Sequence, residues 1–293
     1  MTHRAAPPRR LVYFGTPAMA VPPLHALVAA GFDVVCVVTR VDKRRGRGGE
    51  LMPSPVKAAA LELGLPVVHT VDESLAIAAD SHAELGVVVA FGQLIKPHAL
   101  AALPMVNLHF SLLPRWRGAA PVERAILAGD TVTGVCLMQL EAGLDTGPVH
   151  AVVEVPIAAD ATGDSLRAEL VRIGTDLLCA ELTAGLDEPV PQVGEPTYAA
   201  KLGPDDLRLD WSAPASVRDR QVRLGGAWTT FRDKRFKVHA VDVVDPAATG
   251  DELAADAVVG GLRLTRVQPE GKPVMPWRDF ANGARPSPGE RFT

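Results

Sequence analysis

Cysteine is scarce in this chain. Cys36, Cys136 and Cys179 are the three in 293 residues, an odd number with no C-x-x-C pair. That spacing speaks against a structural zinc site or a disulfide framework. Each cysteine sits in an apolar run, as expected of a small buried hydrophobe. Long apolar runs are missing as well. After Arg4, Arg9 and Arg10, the run Leu11 to Phe14 breaks at Gly15-Thr16-Pro17. It is too short for a signal-peptide core or a membrane span, so a soluble cytoplasmic protein with no membrane partner is expected. A strongly basic balance is absent too: 30 Lys and Arg stand against 34 Asp and Glu, a net charge of −4. Nothing in the overall charge announces DNA, and any nucleic-acid contact must be sought locally. Neither G-x-G-x-x-G nor a Walker A pattern is present, which weakens a nucleotide-binding reading. Internal repeats are also lacking.

The length suggests about two domains, and hydrophobic residues make up 47% of the chain, sufficient for a core in each. Charge is unevenly divided. Residues 1–200 hold 15 basic and 21 acidic side chains, the remainder 15 and 13. The excess of positive charge in the second part hints at an anionic partner. In the first part, apolar runs at Leu11–Phe14, Val34–Val38, Pro66–Val68, Leu85–Ala90 and Val106–His109 alternate with helical patterns around Leu24–Val28, Val56–Leu63 and Glu73–Ala79. Runs rich in β-branched residues suit strands covered on both faces. Their alternation with helices predicts a Rossmann-like, doubly wound, mostly parallel sheet.

The rhythm fails between Gly185 and Asp206, where Pro189, Pro191, Pro196 and Pro204 accompany little periodicity. Such a stretch reads as a linker. Beyond it, Phe236, Val238 and Ala240 alternate with Arg235, Lys237 and His239, and Leu262 and Leu264 with Arg263 and Thr265. Period-two runs punctuated by Gly and Pro predict a small antiparallel barrel or sandwich. The expected organisation is a catalytic domain over 1–187, a linker over 188–206 and a smaller domain over 207–293.

The chemistry-bearing stretch runs from Val106 to Pro121. Asn107 and His109 lie two apart at the end of a strand, so both side chains point to one face. Ligands in open α/β sheets bind outside the carboxyl ends of strands, and the Ser111-Leu112-Leu113-Pro114 turn that follows cannot continue the strand. A second stretch, Gly143-Leu144-Asp145-Thr146-Gly147-Pro148, lies between two apolar runs. By itself Asp145 could be a turn former. Close to an imidazole, its carboxylate would raise the His pKa and orient the ring or a water.

Asn107-Leu108-His109, the Ser-Leu-Leu-Pro turn and Gly-Leu-Asp-Thr-Gly, at this spacing, resemble the active-site pattern of folate-dependent formyltransferases. The longer string from Ser111 to Pro121 resembles the methionyl-tRNA formyltransferase branch. So do Phe14-Gly15-Thr16-Pro17, Leu51 to Lys57, Asp210-Trp211-Ser212 and Gln268 to Lys272. The resemblance spans essentially the whole chain. It implies Asn107, His109 and Asp145 as the catalytic set, with the Asn amide and a protonated His109 donating to the oxyanion of a tetrahedral intermediate. His109 and Asp145 would manage the protons. It further implies 10-formyltetrahydrofolate as formyl donor, no metal, and folate contacts from Ser111, Leu112, Leu113 and Pro114, with the main chain at Phe91 and Gly92 beside the pterin. Its acceptor would be initiator methionyl-tRNA, on a monomeric enzyme whose C-terminal domain is an OB-like β-barrel.

The long basic segment from Arg40 to Gly49 lies between a strand and the next helix, where loops line the substrate side. The resemblance makes Lys43, Arg44, Arg45 and Arg47 candidates for tRNA phosphates, along with Arg232, Lys234, Arg235 and Lys237 in the second domain. Three departures stand out: Gly49-Glu50 where relatives often carry lysines, Phe110 where many have Gly, and a compressed stretch from Arg220 to Trp228. The rivals are transfer to another amine, hydrolysis of the formyl carrier by water, and a non-catalytic nucleotide- or RNA-binding module. The first two share the catalytic residues; the third leaves them without a role.

Overall fold

A computed structural model describes residues 4–45, 49–254 and 256–293. Arg47 therefore lies outside the described residues, as does the side chain of Arg45. The chain divides into two compact units. The first contains the chain through Pro121, Val132–Pro156 and Arg167–Ala200; the second contains Val122–Thr131, Ile157–Leu166 and Lys201–Thr293.

In chain order the elements are β1 (Arg10–Gly15), α1 (Val21–Ala29), β2 (Asp33–Val38), β3 (Lys43–Arg45), β4 (Glu50–Met52), α2 (Pro55–Glu62), β5 (Val67–Val68), α3 (Val71–Asp80), β6 (Leu85–Val89), α4 (Pro97–Ala102), β7 (Met105–His109) and β8 (Arg117–Gly118). There follow α5 (Pro121–Ala128), β9 (Val132–Gln139), β10 (Val149–Pro156), α6 (Gly163–Ala184), β11 (Tyr198–Ala199) and α7 (Ala215–Arg223). The last part holds β12 (Trp228–Phe231), β13 (Lys234–Val243), β14 (Val258–Val259), β15 (Leu262–Pro269), β16 (Met275–Pro276) and α8 (Trp277–Ala284).

The first unit is built on a seven-stranded sheet in the order β10-β9-β7-β6-β1-β2-β5. The five strands from β7 to β5 pair in parallel, whereas β9 runs antiparallel to β7 and β10 to β9. The expected mostly parallel sheet is thus present, with an antiparallel margin. Local chemistry starts the helices that cover it. Ser54 caps α2 by accepting from Lys57 N at 3.0 Å, with Pro55 at the first helical position. Thr70 and Glu73 form a capping box on α3, which answers backbone donors that have no partner inside the helix. On one face of the sheet, Val12, Phe14, Cys36, Val38, Val88 and Met105 form a core with Ala78 of α3 and Ala99 of α4. On the other, Gly174 of α6 comes so near Leu108 and Val135 that a Cβ would lie 3.0 Å from each. The order of strands reverses between β1 and β6, whose last residues, Gly15 and Val89, are register partners. That is the topological switch point, where open α/β sheets take ligands.

The basic segment is a hairpin, not a structureless connection: Lys43 pairs with Met52, Arg44 with Leu51 and Arg45 with Glu50. The proline-rich stretch is also tied down. Val190 bridges Val149 of the edge strand β10, and Tyr198 and Ala199 pair with Arg117 and Gly118. Pro114 precedes Arg115 after a cis Leu113–Pro114 bond.

The second unit carries an antiparallel sheet in the order β12-β13-β15-β14, with β16 on β15. Isolated bridges Leu253–Val259, Glu252–Arg291 and Phe231–Phe292 lead from β14 back to β12, so the sheet closes around its core. Alternation in β13 puts Phe236 and Val238 inside and Lys234 and Arg235 outside. Inside, Phe236 meets Phe280, Phe292, Phe231 and Trp277 at ring-centroid distances of 4.9, 5.7, 5.8 and 6.4 Å. No helix among the described residues is long and apolar enough to cross a membrane.

Removing the central ring should collapse much of this aromatic cluster. Phe236→Ala is expected to cost about 3–5 kcal/mol in the stability of this unit, read as a fall in denaturant midpoint by near-UV circular dichroism. A loss below about 1 kcal/mol, the size of a surface change, would place the core elsewhere.

Candidate active site

β7 is covered on both sides, and its five residues are all buried. Val106 and Leu108 answer the apolar environment directly. Asn107 and His109 project to the opposite face, the one that holds Met105, and only 9% and 5% of their surfaces are exposed. Buried polar groups at this depth need partners. His109 Nε2 lies 3.0 Å from the Trp116 carbonyl. A carbonyl can only accept, so the proton sits on Nε2. The other ring nitrogen, Nδ1, is 3.7 Å from Asp145 Oδ2, too long for a direct hydrogen bond but close enough for strong electrostatic coupling. Burial disfavours the imidazolium and brings the His109 pKa below the ordinary value; the Asp145 charge and the Trp116 carbonyl oppose that shift without overcoming it. The neutral ring is therefore the form at rest.

Asp145 reaches His109 because its turn leaves β9 beside Met105, where Leu140 N donates to Met105 O, and returns across the face that carries the imidazole. Its backbone takes φ +50°, a left-handed conformation tolerated by Asp better than by most residues. The carboxylate accepts from Gly118 N at 2.7 Å. Gly118 has φ +119°, and a Cβ there would lie 2.9 Å from Ala199 O; no larger residue could present that N–H in the same way. Asn107, His109 and Asp145, the three expected catalytic residues, thus lie together, drawn from β7 and from a turn more than thirty residues on.

The expected folate residues surround the same strand ends. Ser111 is fully buried, and its hydroxyl donates to Arg115 O at 2.6 Å, closing the turn on itself. Its side chain is therefore occupied in shaping the loop, while Leu112, Leu113 and Pro114 are half-buried. Leu112 packs where Gly134 leaves room for it. Phe91 is turned into the core, edge-on to Phe14 at 5.4 Å, and its carbonyl accepts from Thr16 at 3.1 Å. The main chain at Phe91 and Gly92 follows β6 directly at the switch point. Cys136, the register partner of His109, is no rival nucleophile, since burial pushes its thiol up to about 11.

The basic candidates differ in their surroundings. Lys43 and Arg44 are exposed on the hairpin, whose base is held by an Asp42–Lys57 ion pair at 2.8 Å. Leu51 and Met52 on β4 are exposed as well. In the second unit, Lys234 and Arg235 are exposed, Lys237 is half-buried, and the Arg235 guanidinium lies 4.1 Å from the centre of the Trp228 ring. Arg232 is committed to Glu290, at 2.8 and 2.7 Å, and to Ala284 O at 2.9 Å. Hydrogen bonding by Arg232 leads the causes that pull the Glu290 carboxyl down to about 2.

Sequence reasoning missed the groups that hold the three residues in place: the Trp116 carbonyl, Gly118 N–H, Arg117, Gln192 and Thr197. Thr197 Oγ1 accepts from Trp116 N at 2.9 Å, and Arg117 N donates to Thr197 O at 2.8 Å. Backbone groups have no residue-type signature, and the other partners lie in a stretch without periodicity.

Comparison with known proteins bears on both units. Residues 9–182 match the formyl transferase family, and residues 201–285 match the formyl transferase C-terminal domain. The chain is 44% identical to the methionyl-tRNA formyltransferase of Roseobacter denitrificans, over 97% of this chain and 98% of that protein. It is 42% identical to the methionyl-tRNA formyltransferase of Symbiobacterium thermophilum, over 97% and 95%. Among solved structures, HypX from Aquifex aeolicus in complex with tetrahydrofolic acid superposes with a TM-score of 0.62 at 17% identity, a likeness of fold. The match covers 94% of this chain but about half of HypX, 47%.

The electrostatics of His109 carry a sign that can be measured. The native state prefers the neutral ring, so the unfolded chain takes up the proton first as pH falls. The contribution to stability is whole above the unfolded value of about 6.5 and is lost as pH drops through the lower native value. A ring-resolved NMR titration is expected to place the His109 midpoint below the ordinary histidine value. Asp145→Asn should lower it further, because the carboxylate is the main influence raising it. A midpoint at or above the ordinary value would show that burial does not govern this ring.

Proposed function

Since the chain belongs to the methionyl-tRNA formyltransferase family, we propose that it transfers a formyl group from 10-formyltetrahydrofolate to the α-amino group of methionine on initiator tRNA, in the cytoplasm. The observation that supports this most directly is the meeting of a buried amide, a neutral imidazole with its proton on Nε2, and a carboxylate 3.7 Å from its other nitrogen. The folate supplies an N-bound formyl group, whose carbon is the electrophile. As the amine attacks, negative charge gathers on the formyl oxygen. The Asn107 amide is the natural donor to that oxygen, and the His109 N–H joins it by leaving the Trp116 carbonyl. A neutral donor suffices, so the imidazolium expected from the sequence is not required. The ring takes the proton of the attacking nitrogen, with the Asp145 carboxylate stabilising the imidazolium, and gives it to the folate nitrogen as the bond from that nitrogen to the formyl carbon breaks and the carbonyl re-forms.

The residues around the strand ends fit a folate. The Phe91–Gly92 main chain would lie beside the pterin, and Ser111, Leu112, Leu113 and Pro114 would form the opposite wall, with Ser111 acting through the shape of its turn. The tRNA would meet Lys43, Arg44, Arg45 and Arg47 on the hairpin and Arg232, Lys234, Arg235 and Lys237 on the smaller domain. Arg232, already held by Glu290, is the least available of these. Residues 1–187 would form the catalytic domain, 188–206 the connection and 207–293 the tRNA-facing barrel. All three reacting side chains come from one chain, so a monomer is sufficient.

Formyl transfer to charged initiator tRNA should be rapid, with small amines and water poor acceptors. Formate released equally fast without tRNA would favour the hydrolase. His109→Ala should abolish transfer while folate binding survives, and Asn107→Ala should slow it about 10²–10³-fold; near-normal turnover in either variant would remove that residue from the mechanism. Replacing Arg44, Arg45 and Arg47 together by Ala should raise KM for tRNA and reduce the slope of log affinity against log salt by roughly 2 to 3. An unchanged slope would make the hairpin a solvated connector.

A further inference from the structure

Gln192 lies in the proline-rich stretch that reads from sequence as a linker, yet its side chain reaches the turn that carries Asp145. Its amide nitrogen donates to Asp145 O and Gly147 O, both at 2.8 Å. Its amide oxygen accepts from Arg117 Nη2 at 2.7 Å and Arg117 Nε at 3.2 Å. Arg117 stands between the two groups that answer the buried site: Trp116, whose carbonyl accepts from His109 Nε2, and Gly118, whose N–H donates to the Asp145 carboxylate. One side chain therefore fastens both segments that flank the imidazole.

The atoms fit the task closely. A primary amide has two N–H donors and a carbonyl acceptor, and here both donors meet carbonyls of one turn while the oxygen meets a guanidinium. The Asp145 backbone is left-handed, a conformation that persists where the surroundings over-determine it. The Gln192 bond to its carbonyl helps impose it. Gly147 offers no side chain to resist, and a Cβ there would run into Gln139 O. Val190, two residues earlier, is pinned to Val149, and Thr197, five residues later, is hydrogen-bonded to Trp116 and Arg117. Gln192 is thus anchored on both sides.

We propose that Gln192 is a positioning residue, which sets the distance and direction of the Asp145 carboxylate toward His109 by clamping the 145–147 turn to the Arg117 segment. It touches neither reactant in this assignment. The inference rests on the reading of Asp145 and His109 as catalytic, and the test separates the two.

Gln192→Glu keeps an acceptor for Arg117 but replaces the donors to both carbonyls with a carboxylate oxygen; Gln192→Ala removes both sides of the clamp. Each should be measured in the full chain for kcat, KM of both substrates, the acid limb of the pH profile and the NMR titration of His109, alone and combined with Asp145→Asn. The expected result for Gln192→Glu is a fall in kcat of about 10- to 100-fold, the scale of a small misplacement of a catalytic group. KM for the folate should stay within about twofold, and in Gln192→Ala, which adds no charge, the His109 midpoint should move down, as in Asp145→Asn. In the Asp145→Asn background the same substitution should add little, because the group it positions is already gone. Normal kcat and an unmoved His109 midpoint in both Gln192 variants, with Asp145→Asn impaired, would overturn the proposal and leave the catalytic reading intact. Equal losses in both backgrounds would also overturn it. Wild-type activity in Asp145→Asn itself would overturn the catalytic reading, and the proposal with it.

Discussion

A buried imidazole has two nitrogens, and in the interior neither can be left to water. His109 is in that position, and much of the surrounding chain is arranged to answer it. The Trp116 carbonyl accepts a hydrogen bond from Nε2, and the Asp145 carboxylate faces Nδ1. Each of those groups is held in turn: Trp116 by Thr197, Asp145 by Gly118, and the segments bearing both by Gln192. The site is thus a series of hydrogen bonds in which the reacting ring is the last link. The same burial that requires these partners keeps the ring neutral, the form that can donate and accept at once.

The sheet makes that arrangement available to a ligand. β7 enters beside β6, next to the crevice where the strand order reverses, so its last residues lie near the mouth of the sheet. β9 then runs antiparallel to β7, and the turn after it folds back across the polar face of β7. A further parallel strand would need a long crossover at this point; the antiparallel margin lets a short turn deliver a carboxylate to the imidazole. The residues proposed to wall the folate and those proposed for catalysis therefore share one region, as acyl transfer between two substrates demands.

The electrostatic work is divided between buried groups and exposed cations. The groups proposed to react are buried and few, while Lys43 and Arg44 are exposed on the hairpin and Lys234 and Arg235 on β13. Exposed charges act at a distance and weaken with salt; buried groups act over a few ångströms and barely respond to it. A nearly neutral chain can in this way serve a polyanionic substrate, because the charge that matters is local.

The mostly parallel sheet was legible from β-branched runs alternating with helical patterns, and the smaller barrel from the two-residue alternation at Phe236, Val238 and Ala240. Asn107 and His109 were legible as a pair on one face because strand periodicity is local. Asp145 was not: a carboxylate in a glycine-rich turn has many uses, and only the resemblance singled it out. Helices α4 to α8 escaped the reading, and so did the hairpin, since Gly and Arg at residues 44–49 mask a short pairing. The linker reading of residues 188–206 rested on missing periodicity. A strap held by Gln192, Val190 and Thr197 has no period to detect, because its partners lie 41 to 81 residues away. Residue type and spacing by themselves determined the strands of the main sheet, the helices α1 to α3 and the faces they bury. Only the tertiary structure decided which carbonyl, which N–H and which turn would meet at His109, because a buried ring recruits partners by proximity in space, and backbone groups carry no mark in the sequence.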